Sequence, residues 1–363
     1  MNRPSKSHLW PLLFVLCLAI IAVFSLKAKQ DKVNKPAFTS DWQSTTPFIT
    51  PRRALATVTY NEHIYVLGGI DSANNYVRSV EYAKVAADGS LDQWRQTSSL
   101  NEGRFYLAAA AINGYLFAIG GAIGALGENN IPVSTVEKAK INQDGSLGAW
   151  SHANELTTAR RGLTVNQHNN RIYSLGGYNG IFLHSIEYAT VDSDGGLSEW
   201  SLSPQQSKVD RYIHSSAISG DKLYLLAGHM KHDQTVSYGD VELSKISKNG
   251  TLSPWQVEST TLLTPRFIAS AFSLGNYLYI LAGHDGAKRL QSVEFAPIDN
   301  SGHIGSWQLT APLKSARSGT ATAIHHNRVY VLGGISQNQV LNSVEMAVQT
   351  EDGNLGHFSA ATQ

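Results

Sequence analysis

The sequence predicts an all-β fold: a six-bladed propeller of four-stranded blades, preceded by an N-terminal apolar helix. Three observations predict it. An aromatic-x-x-Gly/Ala-Gly core occurs six times, ending at Gly69, Gly121, Gly177, Gly228, Gly283 and Gly334, and a period of roughly 50 residues marks a repeat architecture. An arginine stands 16 positions before the first glycine-site residue of every copy: Arg52, Arg104, Arg160, Arg211, Arg266 and Arg317. An aromatic closes each copy five positions after a turn glycine: Trp94, Trp150, Trp200, Trp255, Trp307 and Phe358.

The chain opens with a segment of another character. Residues 1–36 comprise a short basic tip, the apolar run Leu9 to Leu26 and a lysine-rich linker. Eighteen apolar residues reach the length needed to span a bilayer and exceed a typical cleaved signal core. The expectation is an uncleaved signal-anchor, with the propeller of residues 37–363 exported to the periplasm or cell exterior. A cleaved, secreted form is the alternative.

Within each copy four strands are expected. Strand a follows the arginine and carries small residues, such as Ala108 to Ala111, suited to an innermost strand crowded about an axis. Strand b is the aromatic-apolar run, and strand c carries Val/Ile-Glu at Glu81, Glu137, Glu187, Glu242, Glu294 and Glu345. Strand d begins near the tryptophan. Asp-Gly or Asn-Gly pairs such as Asp88-Gly89 and Asn249-Gly250 join c to d, because glycine takes φ > 0 without steric cost. Trp42 stands ten positions before Arg52, as Trp94 does before Arg104, so it belongs to a d strand without its own a, b and c. The Trp42 segment is expected to close the ring as the outer strand of the sixth blade.

Composition excludes several chemistries. The net charge of +1 and the absence of a long basic tract leave no case for nucleic acid. Cys17 is the single cysteine and lies in the apolar run, so the propeller has no disulfide, thiol chemistry or cysteine metal site. No cofactor and no metal is expected.

Arg, then aromatic-x-x-Gly-Gly, then Val-Glu, then Trp resembles the kelch repeat over residues 42–358. The resemblance implies a kelch-type propeller but leaves function open, since such propellers host enzymes, ligand readers and protein-binding platforms. The expected function is a binding module for a protein segment or glycan, anionic in character. The alternative is a carbohydrate enzyme, because the nearest enzymatic kelch resemblance is the periplasmic sialic-acid epimerase/mutarotase. No catalytic motif is assigned to particular residues. The cysteine-tyrosine crosslink of galactose oxidase, another kelch-like propeller, is excluded.

Strand direction places the d–a and b–c connections on one face, with all six repeat arginines at its rim. Two readings stand for them: pairing with carboxylates inside the scaffold, or a cationic ring around the mouth, as the resemblance to kelch domains that bind acidic peptides implies. Departures from six-fold symmetry supply the other candidates. Blades 4 and 5 carry His229 and His284 after the glycines, where other blades have Ile70, Ala122, Tyr178 and Ile335, and His232, Asp233 and Asp285 lie nearby. Paired histidines could bind a metal or move a proton, but no third ligand at metal spacing is identifiable. Tyr212 and Phe267, directly after Arg211 and Arg266, are candidate aromatic contacts with Tyr178. The b–c segments are long in blades 2 and 4, where a rigid scaffold commonly carries binding loops.

Overall fold

The computed structural model describes residues 38–39, 42–126, 130–229 and 237–358. The chain divides into two compact units, Ser40–His357 and a second formed by Met1–Thr39 with Phe358–Gln363. In the second, Phe38–Thr39 is a short strand; the expected helix over Leu9 to Leu26, with Cys17, lies outside the described residues. Among the described residues no helix is long and apolar enough to cross a membrane.

Ser40–His357 builds six antiparallel blades, each in the order a-b-c-d from the axis outward. Blade 1 runs Ala56–Tyr60, His63–Leu67, Val80–Lys84 and Arg95–Thr97, and blades 2 to 5 repeat it. Strand b is the most buried, because a and c flank it and neighbouring blades cover both its faces. In His63–Leu67, for example, only His63 retains appreciable exposure. Small residues on strand a surround an axial cavity of about 210 Å³, lined by Ala56, Ala108, Thr164, Ser215, Ser270 and Ala321 among others.

The sixth blade takes its outer edge from both ends of this unit. Gln43–Thr45 pairs with strand c (Val344–Gln349) in the register Gln43↔Met346, Ser44↔Glu345, Thr45↔Val344. Strand d of blade 1 pairs Tyr82, Glu81 and Val80 in the same way with Arg95, Gln96 and Thr97. Leu355 and Gly356 pair with the far end of Val344–Gln349. The Trp42 indole N–H donates to Ala311 O at 2.9 Å, joining positions 269 apart. Trp94, Trp150 and Trp200 make the equivalent bond to Thr46, Ser98 and Asn154.

Two further devices hold blade to blade. The strand b tyrosine hydroxyl donates to the turn-glycine carbonyl of the next blade at 2.7 Å: Tyr65 to Gly145, Tyr173 to Gly250, Tyr224 to Gly302, Tyr279 to Gly353 and Tyr330 to Gly89. Blade 2 has Phe117 there, and the Lys138 ammonium donates to Gly195 O instead, at 2.6 Å. Around the axis, one residue per blade adopts a left-handed conformation: Ala54, Tyr106, Gly162, Ile213, Ile268 and Gly319, with φ between 47° and 64°. Backbone N–H groups link them across blades, from Ala54 to Gly319 O, Tyr106 to Ala54 O, Gly162 to Tyr106 O, Ile268 to Ile213 O and Gly319 to Ile268 O. A β-branched residue at positive φ is costly, so Ile213 and Ile268 mark strain at the mouth.

The paired glycines differ in what they require. The first site has φ of 57–65° in all six blades, which alanine tolerates at Ala227 and Ala282. The second has φ of 91–108°, a region that effectively requires glycine.

Candidate functional site

The six repeat arginines lie inside the blades, each 0–2% exposed. Each donates through Nη1 to the carbonyl of its first glycine-site residue, Arg52 to Gly68, Arg104 to Gly120, Arg160 to Gly176, Arg211 to Ala227, Arg266 to Ala282 and Arg317 to Gly333. The constant offset of 16 residues is this hydrogen bond. Nη2 pairs with the strand c glutamate: Glu81, Glu137, Glu187, Glu242, Glu294 and Glu345 in turn. Those carboxylates also accept backbone N–H groups from the d–a connection, as Glu81 does from Ile49 and Thr50. Burial pushes the guanidinium pKa down at Arg52 and Arg266, and the glutamate charge pulls it back up. Of the two readings, the geometry is that of pairing inside the scaffold: every guanidinium meets its glutamate and a carbonyl, although the Nε–H of Arg104 and of Arg317 has no partner.

The rim is occupied by other cations, which the sequence reading passed over. Arg53 and Arg161 directly follow repeat arginines, and Arg289 pairs through its backbone with His284. A buried Nε–H without a partner occurs on each of Arg53, Arg161 and Arg289. Arg53 and Arg289 line one cavity of about 350 Å³, with Tyr106, Phe267, Ile268 and His284. No carboxylate lines it. Two acids of the b–c connections hold turns: Asp71 accepts the N–H groups of Ala73 and Asn75, and Asp285 those of Ala287 and Lys288. The cavity lining thus carries two guanidinium groups and an imidazole, with Asp285 close enough to act on His284.

His229 and His284 are separated by Phe267, whose ring centroid lies 4.9 Å from one and 5.4 Å from the other. His284 Nδ1 accepts the Gly286 N–H at 3.0 Å, so the neutral ring carries its proton on Nε2 as a donor. Burial lowers its pKa, Asp285 opposes that and Arg289 adds to it. No group of three or more metal-binding side chains occurs among the described residues. His232 and Asp233 lie outside them.

Tyr178 and Tyr212 stand 5.2 Å apart, with Arg161 over both rings at 5.1 and 5.6 Å. Phe182, which the sequence reading did not single out, completes a triangle at 5.8 and 5.7 Å. Burial raises the Tyr212 pKa, keeping it a neutral hydroxyl. In blade 2 the long connection is partly a hairpin, Ala122–Gly124 with Asn130–Pro132; Glu128 and Asn129 lie outside the described residues. Below the rim, His214 directly precedes strand a (Ser215–Ser219), where blades 1 to 3 carry Leu55, Leu107 and Leu163. It is buried beside Thr164 Oγ1 at 3.1 Å, and desolvation lowers its pKa to about 3.

Six four-stranded blades about one axis define a β-propeller. Its repeats match the family model for the kelch motif at residues 51–82 and 316–346, the a-b-c portions of blades 1 and 6. Two of its six repeats thus match the kelch motif, on a six-bladed propeller. The chain is 23% identical to kelch-like protein 36 of Bos taurus over 331 residues, 90% of this chain and 43% of that protein. Against kelch-like protein 13 of Homo sapiens it is 27% identical over 119 residues, 33% of this chain and 17% of that protein. The chain thus spans less than half the length of these relatives. The solved structure of YjhT superposes with a TM-score of 0.67 at 16% identity, covering 86% of this chain and 98% of that one, a likeness of fold.

Proposed function

We propose that the propeller is a binding module whose d–a/b–c mouth captures an anionic segment of a partner protein. The observation that carries this reading is the buried, unpartnered Nε–H on each of Arg53, Arg161 and Arg289. Burying a donor without a partner is costly, and a carboxylate supplies both the acceptor and the opposite charge. His284, a neutral N–H donor on the same cavity, adds a directional contact. The repeat arginines hold this mouth rather than contact the ligand. The run Leu9 to Leu26 tethers the propeller to a membrane on its exported side, a reading supported by its length and apolarity and checked by cell fractionation.

Isothermal titration with aspartate- and glutamate-rich peptides tests the binding reading. Removing one charge-assisted contact, in Arg53→Ala or Arg289→Ala, should weaken binding by about 1.5–3 kcal/mol. Acidic peptides that fail to bind, or bind the double variant as well as the parent, overturn it. Sialic acid in the same titration, followed by NMR for ring opening or epimerisation, separates the glycan and enzyme alternatives from a peptide reader.

A further inference from the structure

The mouth is built differently on its two sides. In blades 1 and 2 three of the four residues after the arginine and after the glycines, Ile70, Phe105 and Ala122, are buried and cluster with Ala54, against Tyr76 and Tyr106, and the fourth is Arg53. In blades 3 to 5 the same positions carry Tyr178, Tyr212, His229, Phe267 and His284, all half-buried. Their rings run without a break from Tyr178 through Tyr212 and Phe182 to His229, Phe267 and His284, neighbouring centroids lying 4.9–6.4 Å apart. Ile181, beside Phe182, is 65% exposed. Apart from Arg53 and Arg161, equivalent register positions are therefore buried on one side and half-buried rings on the other. The six-fold scaffold does not require this aromatic shelf, because blades 1 and 2 fold without one.

We propose that this shelf is a second subsite, which stacks an aromatic side chain of the bound segment beside the carboxylate held by Arg161. The inference rests on the binding reading above and specifies its ligand as bipartite, an aromatic residue next to acidic ones. Arg161 ties the halves together, since its guanidinium lies over Tyr178 and Tyr212 while its Nε–H lacks a partner. A segment with only acidic residues leaves the aromatic surface wet. One with only apolar residues leaves the three Nε–H groups without a partner. Charge complementarity thus selects an acidic segment, and the ring arc selects an aromatic residue within it.

Two peptides test this with the full chain, identical in their acidic run and differing in one neighbouring residue, tyrosine or alanine. By isothermal titration the tyrosine peptide should bind about tenfold more tightly. Phe182→Leu, which keeps apolar volume, should erase most of that margin while the alanine peptide binds as before. Equal affinity of the two peptides for the parent protein overturns the aromatic subsite and leaves the anion reading standing. A margin that survives in Phe182→Leu, with an unchanged melting temperature, also overturns the assignment to this shelf. Failure of both peptides to bind removes the anion reading and the inference together.

Discussion

Arg52 and Arg53 are adjacent in sequence, as are Arg160 and Arg161, yet each pair divides between two regions with opposite electrostatics. Arg52 and Arg160 point into the blade and are fully buried against Glu81 and Glu187. Arg53 and Arg161 stand at the mouth, each with a donor left over. Successive residues entering strand a face opposite ways, so one position serves the fold in all six blades and the next is free to vary. That next position reads Arg53, Phe105, Arg161, Tyr212, Phe267 and Ser318. Strict repetition marks scaffold here, and departure from it marks the proposed site.

The comparison breaks most sharply at the buried carboxylates. Glu187→Ala leaves the Arg160 charge buried and unpaired and should cost about 3–5 kcal/mol in chemical denaturation. Trp42→Ala empties an indole site in the sixth blade's core and should cost about 3–5 kcal/mol, with aggregation as the ring's outer edge loosens. A variant that unfolds at the parental denaturant midpoint would show that the closing segment is dispensable.

Acid should separate scaffold from mouth in a second way. The His214 pKa is about 3 in the fold against 6.5 for the free side chain. The unfolded chain therefore takes up a proton that the folded chain refuses. Stability from this site is complete above the free value and is lost as pH falls through the interval, by up to about 1.4 kcal/mol per pH unit. In His214→Leu, with the residue found in blades 1 to 3, that part of the acid dependence should vanish from denaturation curves at pH 4 and 6. A parallel loss in both proteins would assign the acid sensitivity elsewhere. A smaller effect belongs to the glycine pair of blade 4: Gly228→Ala should cost of order 1–3 kcal/mol, and Ala227→Gly much less, because Gly228 has a φ of 108° whereas position 227 already carries a Cβ.

Much of the fold was legible because each offset in the repeat is a contact. The 16-residue spacing is an arginine-to-carbonyl bond, the invariant glutamate is that arginine's counter-ion, and the variable first glycine is a milder left-handed site. Trp42 was readable by its distance from Arg52. The site was less legible for the same reason. Six matching arginines drew attention as a cationic ring, although sequence does not say which way a side chain turns at the start of a strand. Arg53 and Arg161 were visible as departures from the pattern, but only burial and missing partners distinguish them from solvated surface charge. Phe182 and Arg289 had a spacing that the reading did not use: each stands five positions before its strand c glutamate, as Tyr76, Pro132, Ser237 and Val340 do, and pairs with the residue after the glycines.

The direct test of the division between scaffold and site is the stability of Arg52→Ala and Arg53→Ala, measured side by side by chemical denaturation. The account predicts a loss of about 3–5 kcal/mol for Arg52→Ala. For Arg53→Ala it predicts a change within about 0.5 kcal/mol. Equal losses at the two positions, or a larger one at Arg53, would contradict it.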